Sequence, residues 1–397
     1  MKKNIRLFEA FAGIGSQNKA LNRLKDDNFS YESVGISEWD IDAVISYDAI
    51  NNDDKSEIDI PPIEEVKKFL SQYTYSLDGK KESKAFLRQP DEKLKKLYRA
   101  HIRSNNFPDI RKLSGKDIEK LNVDFFTYSF PCQDLSLAGK GAGMKKGDKT
   151  RSGLLWEVER IMDEVNSINP EKLPKYLLME NVDTILSSKY VDDYNLWKKK
   201  LEELGYTTFD GVLDAREFGV PQRRCRCYAI SIRNYNGKYV NESPTLDISE
   251  IVHKHYNPVE MPKLKQFIMD DYSIEKYKRE ADEATPPHTP YREKMWNENK
   301  RLYENGEFKY DYAFTLMTKQ DRIPNAGMLE YKINPGIRYR MLSPRECFLL
   351  MGYSHDDYEK ILALGISRER RYRQPGNSIV VNVLEEIFRI FIKEIDD

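Results

Sequence analysis

The chain is expected to be an α/β protein, a doubly wound and mostly parallel sheet with helices on both faces, joined to a smaller loop-rich domain. Three observations predict this. Residues 1–233 alternate short β-prone runs with stretches of helical periodicity, the pattern of repeated βα units. From Asn234 to about Arg338 periodicity weakens, and Pro, Tyr, Asn and charge are scattered through short segments, as in a separate module. Regularity returns over 339–397, so this last part is expected to complete the first domain.

Each element follows in order. A strand over 5–8 leads through Phe8-Glu9-Ala10-Phe11-Ala12-Gly13-Ile14-Gly15-Ser16 into a helix over 16–24. A short strand over 34–36 ends at Glu38-Trp39-Asp40, and a helix over 41–49 follows. Residues 51–107 are charged and hold two amphipathic helical stretches, about 63–73 and 92–102. They read as an insertion between strands and not as a core unit. The aromatic run 124–128 is a strand that Pro131 ends, and 134–151 is a long loop rich in Gly, Lys and Ser. Leu154, Leu155, Val158, Ile161, Met162 and Val165 recur at helical spacing. A strand over 176–179, a helix over 197–204 and strands over 207–213 and 226–232 complete this half. Ser343-Pro344-Arg345-Glu346 has the form of a capping box opening a helix, and an amphipathic helix spans 379–395.

Bulk properties exclude some classes. No apolar run approaches the roughly 18 residues of a membrane span. The N-terminus leads into a strand and not into a signal-peptide core, so a cytoplasmic protein is expected. The four cysteines, Cys132, Cys225, Cys227 and Cys347, fit neither a zinc nor a disulfide spacing, and no metal is expected. A net charge of −1 leaves nucleic acid open as a partner. Basic residues do cluster, in 140–151, 216–226 and 338–345 and at Arg368, Arg370, Arg371 and Arg373, which permits a locally positive groove.

Several strand ends carry chemistry. Phe130-Pro131-Cys132-Gln133 delivers a thiol from a strand into a turn, where a covalent nucleophile would sit, although a lone cysteine there is more often an inert buried thiol. The small residues from Phe11 to Gly15 let backbone approach a ligand at the carboxyl edge of a sheet. The pattern is neither the dinucleotide fingerprint nor a P-loop, and a plain tight turn would look the same. Glu38 can bind a ribose diol, Trp39 can stack on an adenine, and Asp109 can hold an adenine amino group. Met179-Glu180-Asn181-Val182 ends another strand with a carboxylate, or with a helix cap or surface acid. Arg224 and Arg226 share one side if Gln222-Arg223-Arg224-Cys225-Arg226 begins a strand, and two such arginines can clamp a phosphate or orient a base and a carboxylate. Gln374-Pro375-Gly376-Asn377-Ser378 reads as a turn opening a helix.

Together these segments resemble the DNA cytosine-5 methyltransferase family, of the bacterial restriction-modification type, over nearly the whole chain and in the family's motif order. The resemblance runs through Phe11-Ala12-Gly13-Ile14-Gly15, Glu38-Trp39-Asp40, Asp109-Ile110 and Phe130-Pro131-Cys132-Gln133 with Ser136. It continues through Arg151-Ser152-Gly153-Leu154-Leu155, Glu180-Asn181-Val182 and Gln222-Arg223-Arg224-Cys225-Arg226. Leu342-Ser343-Pro344-Arg345-Glu346-Cys347, Met351-Gly352-Tyr353 and Gly376-Asn377-Ser378-Ile379 close it. Departures are the long 51–107 segment, Glu9, Ser16 and Tyr128-Ser129. Residues 8–17 and 174–182 look most like the mycoplasma-type CpG methylases, but the module after Asn234 does not, so CpG specificity is not carried over.

The resemblance implies the S-adenosylmethionine-dependent methyltransferase fold, with a catalytic domain in 1–233, a target-recognition domain in 234–338 and a completing part in 339–397. It implies that S-adenosyl-L-methionine is the methyl donor, with S-adenosyl-L-homocysteine as product. Phe11, Ala12, Gly13, Ile14, Gly15, Glu38, Trp39, Asp109, Ile110, Pro131, Asn377 and Ser378 would bind it. Cys132 would attack C6 of cytosine, turning C5 into a nucleophile. Glu180, carrying a proton, would donate toward N3, while Arg224 or Arg226 would favour the thiolate. Gln133 and Ser136 would lie near the flipped base or the flanking backbone. Lys140, Lys145, Lys146 and Arg151 in the loop would meet phosphates. Thr315 would contact backbone at the flipped nucleotide, with Lys319, Gln320, Arg322 and Asn325 as base or phosphate readers. Double-stranded DNA is the expected partner of a monomer, with a restriction endonuclease acting on the same site without a stable complex. An RNA cytosine-5 methyltransferase on the same scaffold, directed to tRNA, is the nearest rival; its recognition module would be much smaller. A catalytically idle DNA-binding homologue is the other.

Overall fold

The computed structural model describes residues 3–53, 55–131, 152–332 and 337–395. The chain forms two compact units, one of Met1–Leu213, Cys225–Asn257 and Leu384–Asp397, the other of Asp214–Arg224 and Pro258–Val383. Among the described residues no helix is long and apolar enough to cross a membrane.

The first unit is built on βα units. Strand β1 (Lys3–Ala10) is followed by α1 (Ser16–Arg23), and β2 (Phe29–Ser37) by α2 (Ile41–Asn51). Helices α3 (Ile63–Leu70), α4 (Asp91–Ser104) and α5 (Gly115–Leu121) precede β3 (Phe125–Tyr128). Then come α6 (Leu155–Ile168), β4 (Tyr176–Val182), α7 (Val191–Glu203), β5 (Tyr206–Asp214) and β6 (Cys225–Arg233). The six strands form one sheet in the order β2-β1-β3-β4-β6-β5. β1 is parallel to both β2 and β3, and β3 to β4. β6 runs antiparallel to β4. The sheet is therefore doubly wound about β1 and β3, where connections leave in opposite directions and open a crevice at the carboxyl edge.

Alternation along each strand sends side chains to two cores. On one face Phe8, Phe126, Tyr128, Leu177 and Met179 pack with Val158, Ile161 and Met162 of α6 and with Tyr194, Trp197 and Leu201 of α7. The Trp197 indole N–H donates to the Tyr128 hydroxyl at 2.9 Å. On the other face Phe125 meets Phe388, from the C-terminal helix, edge-on at 5.1 Å between ring centres.

The segment 51–107 is not a peripheral insertion. Leu94, Leu97 and Ala100 of α4 are buried, and residues 105–107 run on beside β2, with the Phe107 N–H donating to Ile36 O at 2.8 Å and the Ile36 N–H to Asn105 O at 3.4 Å. Its charges cover the solvent side of a helix whose inner face belongs to the core.

The unit boundaries also fall away from 234 and 338. Helices α8 (Lys238–Glu242) and α9 (Ile248–His255) belong to the first unit. There the Tyr239 hydroxyl donates to Ile390 O at 3.2 Å, and the Asp210 N–H to Leu246 O at 3.0 Å. The second unit holds α10 (Glu275–Glu283), α11 (Pro290–Glu298) and a sheet of β7 (Arg301–Glu304), β8 (Glu307–Phe308), β9 (Met328–Lys332) and β10 (Ile337–Met341), ordered β10-β9-β7-β8. Helices α12 (Pro344–Leu349), α13 (His355–Ala363), α14 (Arg368–Asn377) and the start of α15 (Val381–Phe388) follow. Two buried contacts tie 339–383 to this unit: Arg345 pairs with Glu280 at 2.8 Å, and Glu346 accepts the Met269 N–H at 2.8 Å while also pairing with Arg340. The capping box at Ser343 is formed, with Glu346 closing it.

Candidate active site

Strand register assembles the site. Ala10 of β1 pairs with Ser37 of β2 and with Tyr128 of β3, and Tyr128 pairs with Met179 of β4. The residues one step further along the four strands are Phe11, Glu38, Ser129 and Glu180, all at the carboxyl edge. β6 runs the other way, so its second residue, Arg226, stands opposite Val182 at that same edge.

Between β1 and α1 the backbone doubles over tightly. Phe11 has φ 58°, Gly13 φ 57° and Gly15 φ 81°, left-handed values that cost a side-chain-bearing residue about 1 kcal/mol or more. A side chain begun at Gly13 would meet nothing within 4 Å, so the turn leaves open space above it. Behind the turn Asn51 donates to Ile14 O at 3.0 Å. Glu9 is fully buried below it and accepts from the Asn18 N–H at 3.1 Å and the Tyr47 hydroxyl at 2.5 Å. Burial pushes the Glu9 carboxyl up to about 7, against the pull of Tyr47 and Asn18.

Glu38 accepts the Gly13 N–H at 3.0 Å and the Asp40 N–H at 2.7 Å. It therefore ties the end of β2 to the turn after β1. Burial, and then the neighbouring Asp40, pushes its carboxyl up to about 7. Trp39 is half-buried beside it. Asp109 is buried, with both oxygens held by Arg111 at 2.7 Å, and Ile110 belongs to the core.

At β4 the Glu180 carboxylate is buried. Ser129 Oγ donates to it at 2.6 Å, and Arg226 Nε lies 3.4 Å from its other oxygen. Asn181 donates to Phe130 O at 3.1 Å, which fixes the chain just before Pro131. Cys132, Gln133, Ser136, Lys140, Lys145, Lys146 and Arg151 lie outside the described residues. Burial pushes the thiols of Cys227 and Cys347 far up, so neither is a ready nucleophile.

The second unit revises several expectations. Arg224 precedes β6 instead of lying within it, so no strand pleat sets it on one side with Arg226. It is buried, and its guanidinium donates to Leu316 O at 2.9 Å, Ser378 O at 2.9 Å and Gly376 O at 3.3 Å. It is a brace for backbone. Gln320 is fully buried and accepts the Ala326 N–H at 3.1 Å, which removes it from the base readers. Thr315 Oγ1 donates to Arg223 O at 2.8 Å. Lys319, Arg322 and Asn325 are exposed, and Arg322 pairs with Asp321 and Glu369. Residues 374–377 finish α14 instead of opening a helix, because a proline in the last turns forfeits few helical bonds. Asn377 is exposed there, and Ser378 is buried with its hydroxyl on Gln374 O at 2.9 Å.

Sequence reasoning assigned no role to Ser129, Asn181 or Asn106. Ser129 precedes one recognised motif and Asn181 lies within another, so both were within reach. Asn106 gave no local signal.

A family model described as C-5 cytosine-specific DNA methylase matches residues 70–393. The chain is 35% identical over 394 residues to the orphan methyltransferase M.SssI of Spiroplasma monobiae, covering 97% of this chain and 96% of that one. It is 34% identical over 397 residues to the type II methyltransferase M2.ScrFI of Lactococcus lactis subsp. cremoris, covering 98% and 99%. Among solved structures the S. pombe Dnmt2 methyltransferase superposes with a TM-score of 0.65 over 98% of both chains, at 17% identity, a likeness of fold. With the edge-of-sheet site in place and matches spanning nearly its full length, the chain belongs to the C-5 cytosine-specific DNA methylase family, enzymes that methylate cytosine in DNA at C5.

Proposed function

We propose that this enzyme takes its methyl group from S-adenosylmethionine and delivers it to a cytosine flipped out of duplex DNA, through a transient bond between Cys132 Sγ and C6. The observation that carries the reading is the row Glu38, Phe11, Ser129 and Glu180, set side by side by strand register at one sheet edge.

The residues present fit the cofactor. The open space over Gly13 gives room for it, the Glu38 carboxyl is an acceptor for ribose hydroxyls, and the half-buried Trp39 ring offers a stacking face. When bound, S-adenosylmethionine supplies an electrophilic methyl on sulfonium. All other steps fall to protein side chains. Cys132 adds to C6, and electron density moves toward N3 and C5. Glu180, oriented by Ser129 and Arg226, serves as the donor to N3 in this reading. After methyl transfer, loss of the C5 proton and of the thiolate restores the ring.

In this reading base readout falls to the part of 234–338 that lies in the second unit, from Pro258 on, with Thr315 at the flipped nucleotide and the exposed Lys319, Arg322 and Asn325 toward DNA. A cofactor role for Asn377 and Ser378 rests on the family resemblance. The biological role is protection of host DNA from an endonuclease of the same specificity. The test is methyl transfer by wild type and Cys132→Ser, with bisulfite sequencing of DNA from a methylation-free host. The wild type should mark one short motif, and the variant should lose at least about 10³-fold in rate. Activity within tenfold of wild type would sink the covalent route.

A further inference from the structure

The segment leading out of α4 into residues 105–107 has a role that its composition does not suggest. We propose that Asn106, backed by Tyr75 and His101, is a positioning residue that sets cofactor affinity by fixing Glu38 and Trp39. The inference rests on the reading that these two residues bind S-adenosylmethionine.

β2 ends at Ser37, so Glu38 and Trp39 lie where no ladder holds the backbone. Asn106 replaces the ladder. Its Oδ1 accepts the Glu38 N–H at 3.1 Å, and its Nδ2 donates to Glu38 O at 3.0 Å. A carboxamide can satisfy both backbone groups of one residue at once, whereas a carboxylate or an alkyl side chain cannot. Both bonds are made by a residue only 4% exposed, where losing a partner costs the most.

Asn106 is itself held from behind. Its N–H donates to His101 O at 3.0 Å, and its Nδ2 lies 3.4 Å from the Tyr75 hydroxyl. That hydroxyl is 2.6 Å from His101 Nδ1. Burial holds His101 down to about 4, so the ring is neutral near pH 7 and Nδ1 can accept from Tyr75. The bonds then run in one sense, with Asn106 donating to Tyr75 and Tyr75 to His101. A strap secures the far side: the Ser76 N–H donates to Trp39 O at 2.8 Å, and the Ile41 N–H to Ser76 O at 3.2 Å. Tyr75, Ser76, His101 and Asn106 are all buried, which suits support for the site and not contact with ligand.

The experiment is calorimetric titration of the full-length protein with S-adenosylhomocysteine, alongside KM and kcat and exchange of the Glu38 amide. Asn106→Ala should weaken binding at least tenfold, raise the cofactor KM more than it lowers kcat, and speed exchange at Glu38. Tyr75→Phe, a milder change should the first variant fold poorly, should weaken binding about threefold while the DNA Kd stays within twofold. Unchanged cofactor affinity in both variants, with only a lower Tm, would overturn the proposal. So would an equal loss of DNA affinity. If the wild type itself fails to bind S-adenosylhomocysteine, it is the cofactor reading that falls.

Discussion

Glu9, fully buried, and Glu38, half-buried, are two carboxyls held near 7, each for its own reason. Glu9 faces Tyr47 and Asn18, with Lys55 as the nearby positive charge, and Glu38 faces Asp40 and two backbone N–H groups. In the unfolded chain both ionise near 4.5, so between about pH 4.5 and 7 the folded protein binds the extra protons. Folding stability therefore falls as pH rises across that window, by on the order of 2–3 kcal/mol per group. Chemical denaturation of wild type and Glu9→Gln at pH 5 and pH 8 checks this. The variant should lose clearly less stability on going to pH 8. Cofactor binding should show the opposite sign at Glu38, because ribose hydroxyls favour the ionised form. Affinity for S-adenosylhomocysteine should rise from pH 6 to pH 8 with proton release, seen by calorimetry in buffers of different ionisation enthalpy, and Glu38→Gln should flatten the trend.

At the scale of elements, the turn after β1 depends on one close approach. A Cβ on Gly15 would lie 2.3 Å from Asn51 Nδ2 and 2.7 Å from the Tyr47 ring, at a φ of 81°. Gly15→Ala should cost about 2–4 kcal/mol from strain and overpacking together, read as a lower urea midpoint. The turn was legible because its small residues are contiguous, as was the capping box at Ser343, whose partners are three residues apart. Asn106 was not legible, since its partner is 68 residues away and nothing local marks the pairing. The end of α14 was misread because Pro-Gly signals a turn unless tertiary contact overrides it. Here Gly376 lies flat against the backbone of Met317 and Thr318, and Arg224 stitches the two segments together. Only a narrow stripe of α4 is apolar, so its sequence alone reads as an insertion.

For the whole molecule, the alternation of strands and helices gave the sheet, and the motif order gave the edge on which the site stands. The division into units was less visible, because it depends on buried charges joined across long stretches of sequence. Arg345 makes paired contacts with Glu280 and reaches Glu359 at 2.8 Å while having no exposed surface. Such a pair contributes less by its existence than its disruption costs. Arg345→Met alone should destabilise the second unit by about 3–5 kcal/mol, and adding Glu280→Leu should recover much of the loss, both read from denaturant midpoints of the full chain.

The reversed strand β6 has a consequence for how the site works through a catalytic cycle. Glu180 and Arg226 sit on adjacent antiparallel strands, joined by an unbroken ladder from Tyr176–Ile232 to Val182–Arg226. Their spacing is set by backbone pairing in the sheet and not by any loop. In the proposed reaction these two groups would keep station as a duplex arrives, surrenders a base and departs, a fixed jaw in the sheet.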